Sequence, residues 1–457
     1  MSKIRSMPRY GFLASSIGVT CAAALALPMT TPAATAAART EGGAGAGRSA
    51  APAVPGSTQS LRLAPLAPDR TAGAGPAQGL YRTGVRHFSL VGVVWDDPDT
   101  HLHGTVQVRT RSVARGTWSG WQDVDTHNAD HGADPGSAER ASGRVRGATA
   151  PLWVGGSDGV DLRVRADAGR RGAPAGPLPS GMRLELVDPG TAPPPKGSPA
   201  RAPRRGAARG ATAPAVDTGP APLGATRIPA LGRAETERGL LAPDDGPPAP
   251  RQQAKPYIGA RPAIVTRRGW GADESLRESG FVYTKKVKVA FVHHTASGNN
   301  YTCAQAPSVI RSIYRYHVQS MGWRDIGYNF LVDKCGTLYE GRAGGVAKAV
   351  LGAHTMGFNT NSMGVAVIGS FGRTKPSAAA VKAIARLAAW KLGLYGMNPR
   401  ATTYLTSGGG NLYAKGKNVR LNVISGHRDG YNTDCPGTQL YAKLGTVRST
   451  AAGYQGR

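Results

Sequence analysis

Val287-Lys-Val-Ala-Phe-Val292 is a short apolar run that ends in two histidines, His293 and His294. A run this brief, rich in Val and Phe, reads as a buried strand. The sequence that follows alternates with it. From Pro307 to Met321, Val309, Ile310, Ile313, Tyr314 and His317 recur at helical spacing. Asn329–Asp333 and Cys335–Tyr339 read as a hairpin turning at Cys335-Gly336. Met363–Ile368 is a second buried strand, and Pro376 to Leu394 an amphipathic helix with a proline at its start. Strands alternating with helices make residues 261–450 one α/β domain, with a central β-sheet flanked by helices.

The composition forbids extending that pattern to the whole chain. Of 457 residues 63 are Gly and 34 are Pro, well above the usual combined share of about 12%. Residues 39–78, rich in Ala, Gly, Pro and Ser without a period, read as a disordered leader. Residues 190–260, with Pro194-Pro195, Pro247-Pro248 and many Arg and Ala, read as a solvated linker. Between them, 79–189 differ. Phe88–Trp95, Gly104–Arg111, Val160–Arg165 and Met182–Val187 alternate apolar and polar residues between Asp, Pro and Gly turns. That pattern predicts an all-β, sandwich-like domain of half-buried strands.

The N-terminus predicts export. Lys3, Arg5 and Arg9 precede an apolar stretch from Gly11 to Pro28 and a small-residue segment ending at Ala36-Ala37-Ala38. This is the layout of a cleavable signal peptide over 1–38, with no stable membrane insertion once it is removed. The net charge of +28 calls for a polyanionic partner. Export argues against nucleic acid and for an anionic cell wall. Residues 261–457 carry 26 Lys and Arg against 8 Asp and Glu, so most of the excess sits on the α/β domain.

Beyond the signal region the cysteines are Cys303, Cys335 and Cys435. Cys303 lies just before the first helix and Cys335 at the hairpin, so a disulfide between them is geometrically reasonable. Cys435 lies in Gly426-His-Arg-Asp-Gly-Tyr-Asn-Thr-Asp-Cys-Pro-Gly437, eight residues after His427. A thiolate and neutral imidazoles suit Zn2+, and a third ligand can come from the strand-end pair His293-His294. His101, His103, His127 and His131 lack a Cys or acidic scaffold at ligand spacing and read as loop histidines. His317, on the apolar helix face, reads as a core residue.

Several further motifs occur in order: Phe291-Val-His-His-Thr-Ala-Ser297, Gly322-Trp-Arg-Asp-Ile-Gly-Tyr-Asn-Phe330, Tyr339-Glu-Gly-Arg342, Gly352-Ala-His-Thr355, Asn361-Ser-Met-Gly364 and Ser425–Asp429 through Cys435–Gly437. With them, Arg261 to Tyr441 resembles the peptidoglycan recognition protein family and the related phage lysozyme-type zinc amidases. The resemblance implies a mixed sheet with helices around it. It also implies cleavage of the amide between N-acetylmuramic acid and L-alanine. His293, His427 and Cys435 match the zinc ligands, with His294 turned to the other side of its strand. Tyr328 matches the catalytic tyrosine and Thr433 a position that assists proton handling. Trp270, Arg342, His354 and Asn361 match family positions that suggest a substrate groove, although Trp270 equally fits packing and Arg342 pairing with Glu340 or a carbonyl. The expectation is a secreted, monomeric zinc N-acetylmuramoyl-L-alanine amidase acting on peptidoglycan, with 79–189 as a targeting domain. The alternative is a non-catalytic peptidoglycan-binding protein on the same fold, but such members typically lack the cysteine.

Overall fold

The computed structural model describes residues 55–67, 75–168, 176–191, 225–241 and 257–457. Strand Val289–His294 is buried along its whole length. It pairs in parallel with Ser362–Val367 on one side and Ile424–Gly426 on the other. A strand flanked and covered in this way must be apolar on both faces, which is why its sequence runs without alternation. The sheet has seven strands in the order 227–228, 264–265, 338–340, 330–332, 362–367, 289–294 and 424–426. It is mixed, because Phe330–Val332 is antiparallel to Leu338–Glu340 and parallel to Ser362–Val367.

Helices cover both faces. Helix Ala378–Gly393 is capped by Ser377, whose hydroxyl accepts from the Ala380 amide. It buries Ile384, Leu387 and Trp390 against Phe330, Val332 and Val365. Helix Ala306–Arg315 buries Val309, Ile310 and Ile313 on the side of Leu331 and Ala366. The chain then continues through a π-helical turn, Tyr316–Ser320. A Cys303–Cys335 disulfide ties the start of this helix to the hairpin.

The β-rich part differs from the expected boundaries. Its strands begin at Ser57–Arg62, inside the stretch read as a disordered leader, and this strand pairs with Arg183–Asp188 in antiparallel register. Ala64–Pro65 and Ala77–Arg82 also belong to it. Long-range pairing overrides a composition that has no local period. Among the described residues all nine strands of this part join one antiparallel sheet, and the 15-residue strand Leu152–Ala166 pairs with three of its neighbours. The linker reading of 190–260 is corrected at two places. Arg227–Ile228 adds an edge strand to the seven-stranded sheet, and Arg233–Leu241 is a helix. Helix Leu444–Gln455 carries the α/β domain past residue 450. The signal segment 1–38 and positions 192–224 and 242–256 lie outside the described residues. No helix among the described residues is long and apolar enough to cross a membrane.

The β-rich and α/β parts are not beads on a string. They share one compact unit and one apolar cluster, in which Leu90, Val94, Trp153 and Val187 join Ile310, Ile313, Tyr316 and Trp323. Phe88–Trp95 is therefore buried on both faces, one toward its own core of Val91, Leu162 and Leu184 and one toward the helix. Gly92 makes this approach possible, since a Cβ there would overlap the Tyr316 ring. The Tyr316 hydroxyl reaches the carbonyls of Thr149, at 3.1 Å, and Val93, at 3.3 Å.

Candidate metal centre

The strand order brings three chain segments to one point. His293 is the penultimate residue of the central strand. His427 follows the neighbouring strand Ile424–Gly426 at once, in a tight turn closed by the Asp429 carboxylate, which accepts from the Gly426 amide at 2.9 Å. Cys435 returns beside them because the Arg428 amide donates to its carbonyl at 3.1 Å, and its own amide donates to Thr433 Oγ1 at 3.1 Å. His294, on the opposite side of the strand, does not join. Its backbone amide lies 3.5 Å from Cys435 Sγ and its ring Nδ1 accepts from the Phe371 amide.

A fourth side chain completes the cluster, and it comes from the β-rich domain. His131, with His293, His427 and Cys435, offers one donor atom each, all within 4.8 Å of one another. Cys435 Sγ is 3.7 Å from His293 Nδ1 and 3.9 Å from His131 Nε2. Around a tetrahedral ion with Zn–N near 2.05 Å and Zn–S near 2.3 Å, sulfur and nitrogen stand about 3.6 Å apart. The spacing therefore fits a metal ion. So do the unmet needs of the side chains: neither ring nitrogen of His427 hydrogen-bonds another described residue, and Asp130 Oδ2 is 3.7 Å from its Nδ1. Buried polar atoms without partners are uncommon, and a shared cation satisfies them together.

Electrostatics prepare the same set. Burial, then the neighbouring His427, His354 and His131, holds His293 neutral well below the ordinary histidine range. Burial lowers His427 to about 3 despite the Asp130 carboxylate. Burial and the Asp130 charge push the Cys435 thiol up, so its ionisation calls for a nearby cation. The His293 ring is oriented from behind, with Nε2 3.2 Å from His354 Nδ1 and 3.3 Å from Thr355 Oγ1. Gly364 leaves room for His354, since a Cβ there would overlap its ring. Tyr328 closes one wall, its ring 5.6 Å from that of His293 and its hydroxyl 3.5 Å from the His294 carbonyl. Burial raises its phenol well above the usual value, so it stays a hydrogen-bond donor.

The sequence-predicted groove residues separate. Trp270 is fully buried and away from the cluster, its indole donating to the Glu340 carbonyl at 2.7 Å; it is a packing residue. Asn361 occupies a left-handed turn with φ of 59° and accepts from the Lys286 amide. His354 orients His293. Arg342 is paired with Glu139 of the β-rich domain, and with Pro135 and Gly136 it lines a cleft of about 330 Å³. The reading of His131 as a loop histidine is corrected, and Asp130 is an unforeseen acidic neighbour. His101 and His103 are exposed and His127 pairs with Asp125 at 3.5 Å. His317 is in the core, accepting from the Gly327 amide and packed on Trp323.

A mixed α/β domain with a buried His/His/His/Cys cluster, closed by an N-terminal β domain, defines the class of protein. Residues 283–438 match the N-acetylmuramoyl-L-alanine amidase family, and residues 47–204 match the family described as Rv3811 N-terminal galactose-binding domain-like. Peptidoglycan-recognition protein SC1a/b of Drosophila simulans is 32% identical over 192 residues, 41% of this chain and 87% of that protein. Human N-acetylmuramoyl-L-alanine amidase is 31% identical over 205 residues, 43% of this chain and 30% of that protein. The solved structure of peptidoglycan recognition protein-LE in complex with tracheal cytotoxin is 30% identical, covering 40% of this chain and 92% of that one, with a TM-score of 0.31. The chain belongs to the peptidoglycan recognition protein and amidase family.

Proposed function

We propose that the chain is a zinc-dependent N-acetylmuramoyl-L-alanine amidase that hydrolyses the bond between N-acetylmuramic acid and L-alanine in peptidoglycan. The observation that carries this reading is the convergence of His293, His427 and Cys435 beside Tyr328. A zinc ion bound there supplies Lewis acidity toward the scissile carbonyl and lowers the pKa of water. The chain's own residues do the rest. His354 and Thr355 fix the His293 ring, so that its Nδ1 faces Cys435. The protonated Tyr328 phenol is suited to donate to the amide oxygen as negative charge develops on it. Thr433, hydrogen-bonded to the Cys435 amide, is suited to orient a proton at the leaving nitrogen.

In this reading the protein is exported as a monomer and works on the anionic wall, to which its basic α/β domain is attracted in a salt-dependent way. Nucleic acid and membrane are not partners, and the β-rich domain acts on the same wall. The alternative is a binding protein that does not cut; the retained Cys435 favours the enzyme. The test is mass spectrometry of defined muropeptides incubated with the zinc-loaded full-length chain. Free stem peptide beginning with L-alanine is expected, and its loss with Cys435→Ser. Full activity in that variant would refute the zinc mechanism.

A further inference from the structure

His131 is out of place in a site built for hydrolysis. A catalytic zinc keeps three protein ligands and leaves a fourth position for water or substrate, whereas a site with four protein ligands is closed. Here the fourth donor comes from another domain. His131 Nδ1 lies 2.9 Å from Asp130 Oδ1, and because a carboxylate can only accept, Nδ1 carries the proton. Nε2 is then left with its lone pair toward the cluster, 3.9 Å from Cys435 Sγ. A histidine whose far nitrogen is held by a carboxylate is the usual arrangement of a metal-ligating imidazole. The charges agree, since one thiolate and the buried Asp130 carboxylate neutralise a divalent cation. The site is also shut physically. His131 is 9% exposed, Cys435 3%, and His293 and His427 not at all, so the segment that carries His131 lies over the other three donors.

The loop is a separable piece of structure. Its ends meet where the Ala150 amide donates to the Asp125 carbonyl at 2.9 Å, and the chain re-enters the sheet at Gly147–Ala148, which pair with Trp95 and Val94. Its central part is held largely by polar contacts. The Met356 amide donates to the Asp130 carbonyl, Asn359 Nδ2 to the Gly132 carbonyl and to Asp134, and Arg342 to Glu139. Ala133, Val145 and Ala148 share the apolar cluster of Leu90, Val94 and Val187, so the re-entering end, 145–149, belongs to the domain interface. The stretch 126–144 is the part that can lift while 145–149 and the domain interface stay docked.

We propose that His131 is the fourth ligand of the metal, so that the stretch 126–144 seals the centre and the chain folds as a latent hydrolase, opened when that stretch is withdrawn. The proposal rests on the amidase reading for its consequence but not for its geometry. The test uses the full-length chain loaded with Co2+ as a spectroscopic probe and with zinc for turnover. It compares wild type, His131→Ala, and a chain with a protease site inserted after the exposed Gly136, before and after cutting.

In the wild type and in the uncut insertion chain, the Co2+ spectrum is expected to ignore added acetohydroxamate. In His131→Ala and the cut chain it is expected to respond, with loss of metal to EDTA about tenfold faster or more. Hydrolysis of peptidoglycan should rise about 10- to 100-fold, as expected if the wild type is open for roughly 1–10% of the time. Unchanged spectra and metal loss in His131→Ala and in the cut chain overturn the fourth-ligand assignment. Changed spectra with equal turnover in wild type and variants overturn latency. Changed spectra with no cleavage by any form uphold the ligand and refute the amidase reading.

Discussion

Glu139 and Arg342, 203 positions apart, meet through two hydrogen bonds: Nη1 donates to Oε2 at 2.8 Å and Nη2 to Oε1 at 2.9 Å, with both side chains buried. This bidentate pair fastens the loop of the β-rich domain to the α/β domain. Burial pushes the Glu139 carboxyl up, but the Arg342 charge and hydrogen bonds outweigh it and the net shift is downward. A carboxyl with a depressed folded pKa stabilises above its unfolded value, near 4.5, and loses that contribution as pH falls through the folded value. Glu139→Gln should cost about 3 kcal/mol at neutral pH, because it strands a buried guanidinium. Urea unfolding should show the wild type approaching the variant as pH drops below 4.5. Equal stability at pH 7 would show that the pair does not hold the loop.

Lys391 gives a second rise of stability with pH, in a higher window. It lies fully inside the α/β core, its ammonium donating to the carbonyls of Val346 and Lys348 at 2.6 Å each. Burial lowers its pKa from 10.5 to about 7. Above pH 7 the folded lysine is neutral while the unfolded one still holds its proton, so the unfolded state binds more protons and stability rises with pH. Below pH 7 the full penalty is present. Between pH 7 and 9.5, before tyrosines ionise, the gain should approach about 3 kcal/mol at 1.36 kcal/mol per pKa unit. Denaturant titrations at both pH values should show this rise in the wild type and a flat profile in Lys391→Met; a rise that persists in the variant would assign it elsewhere.

The contact between Gly92 and Tyr316 tests the interface. Gly92→Ala puts a methyl into the Tyr316 ring, and overpacking of this kind costs about 1–3 kcal/mol. Tyr316→Phe leaves the ring in place and removes only the hydroxyl that reaches the Thr149 and Val93 carbonyls, a loss of about 1 kcal/mol. Thermal unfolding should rank them in that order. The double variant Gly92→Ala, Tyr316→Leu should recover part of the alanine's cost, since the smaller side chain relieves the overlap. No recovery would mean that the strand, not the ring, is what the methyl disturbs.

The residues that were legible from sequence share a property: each sits in a local pattern. Val289–Val292 shows its burial through an unbroken apolar run, and His427 and Cys435 share one short turn. What was missed depends on distant partners. Ser57–Arg62 is a strand only because Arg183–Asp188 pairs with it, and Arg227–Ile228 is too short to show a period. His131 stands 162 positions before His293 in a loop without motif or spacing, and its one local signal is the adjacent Asp130. Trp270 lies inside the family-like stretch yet is a core residue, because a motif reports that a position is constrained without saying whether packing or ligand constrains it.

The cluster should also appear in the protein's thermodynamics. Two nitrogens of His427 without partners and a buried thiol are costly in the protein alone. An ion that binds only the folded state offsets this and stabilises by RT ln(1 + [L]/Kd), about 4 kcal/mol at a free concentration of 1,000 Kd. Zinc should therefore raise the melting temperature of the metal-free chain, and EDTA should reverse the rise. Cys435→Ala, which removes the thiolate, should abolish most of the zinc response while melting near the metal-free wild type. His131→Ala should retain part of it, because His293, His427 and Cys435 remain. A full response in Cys435→Ala would place the ion elsewhere on the protein.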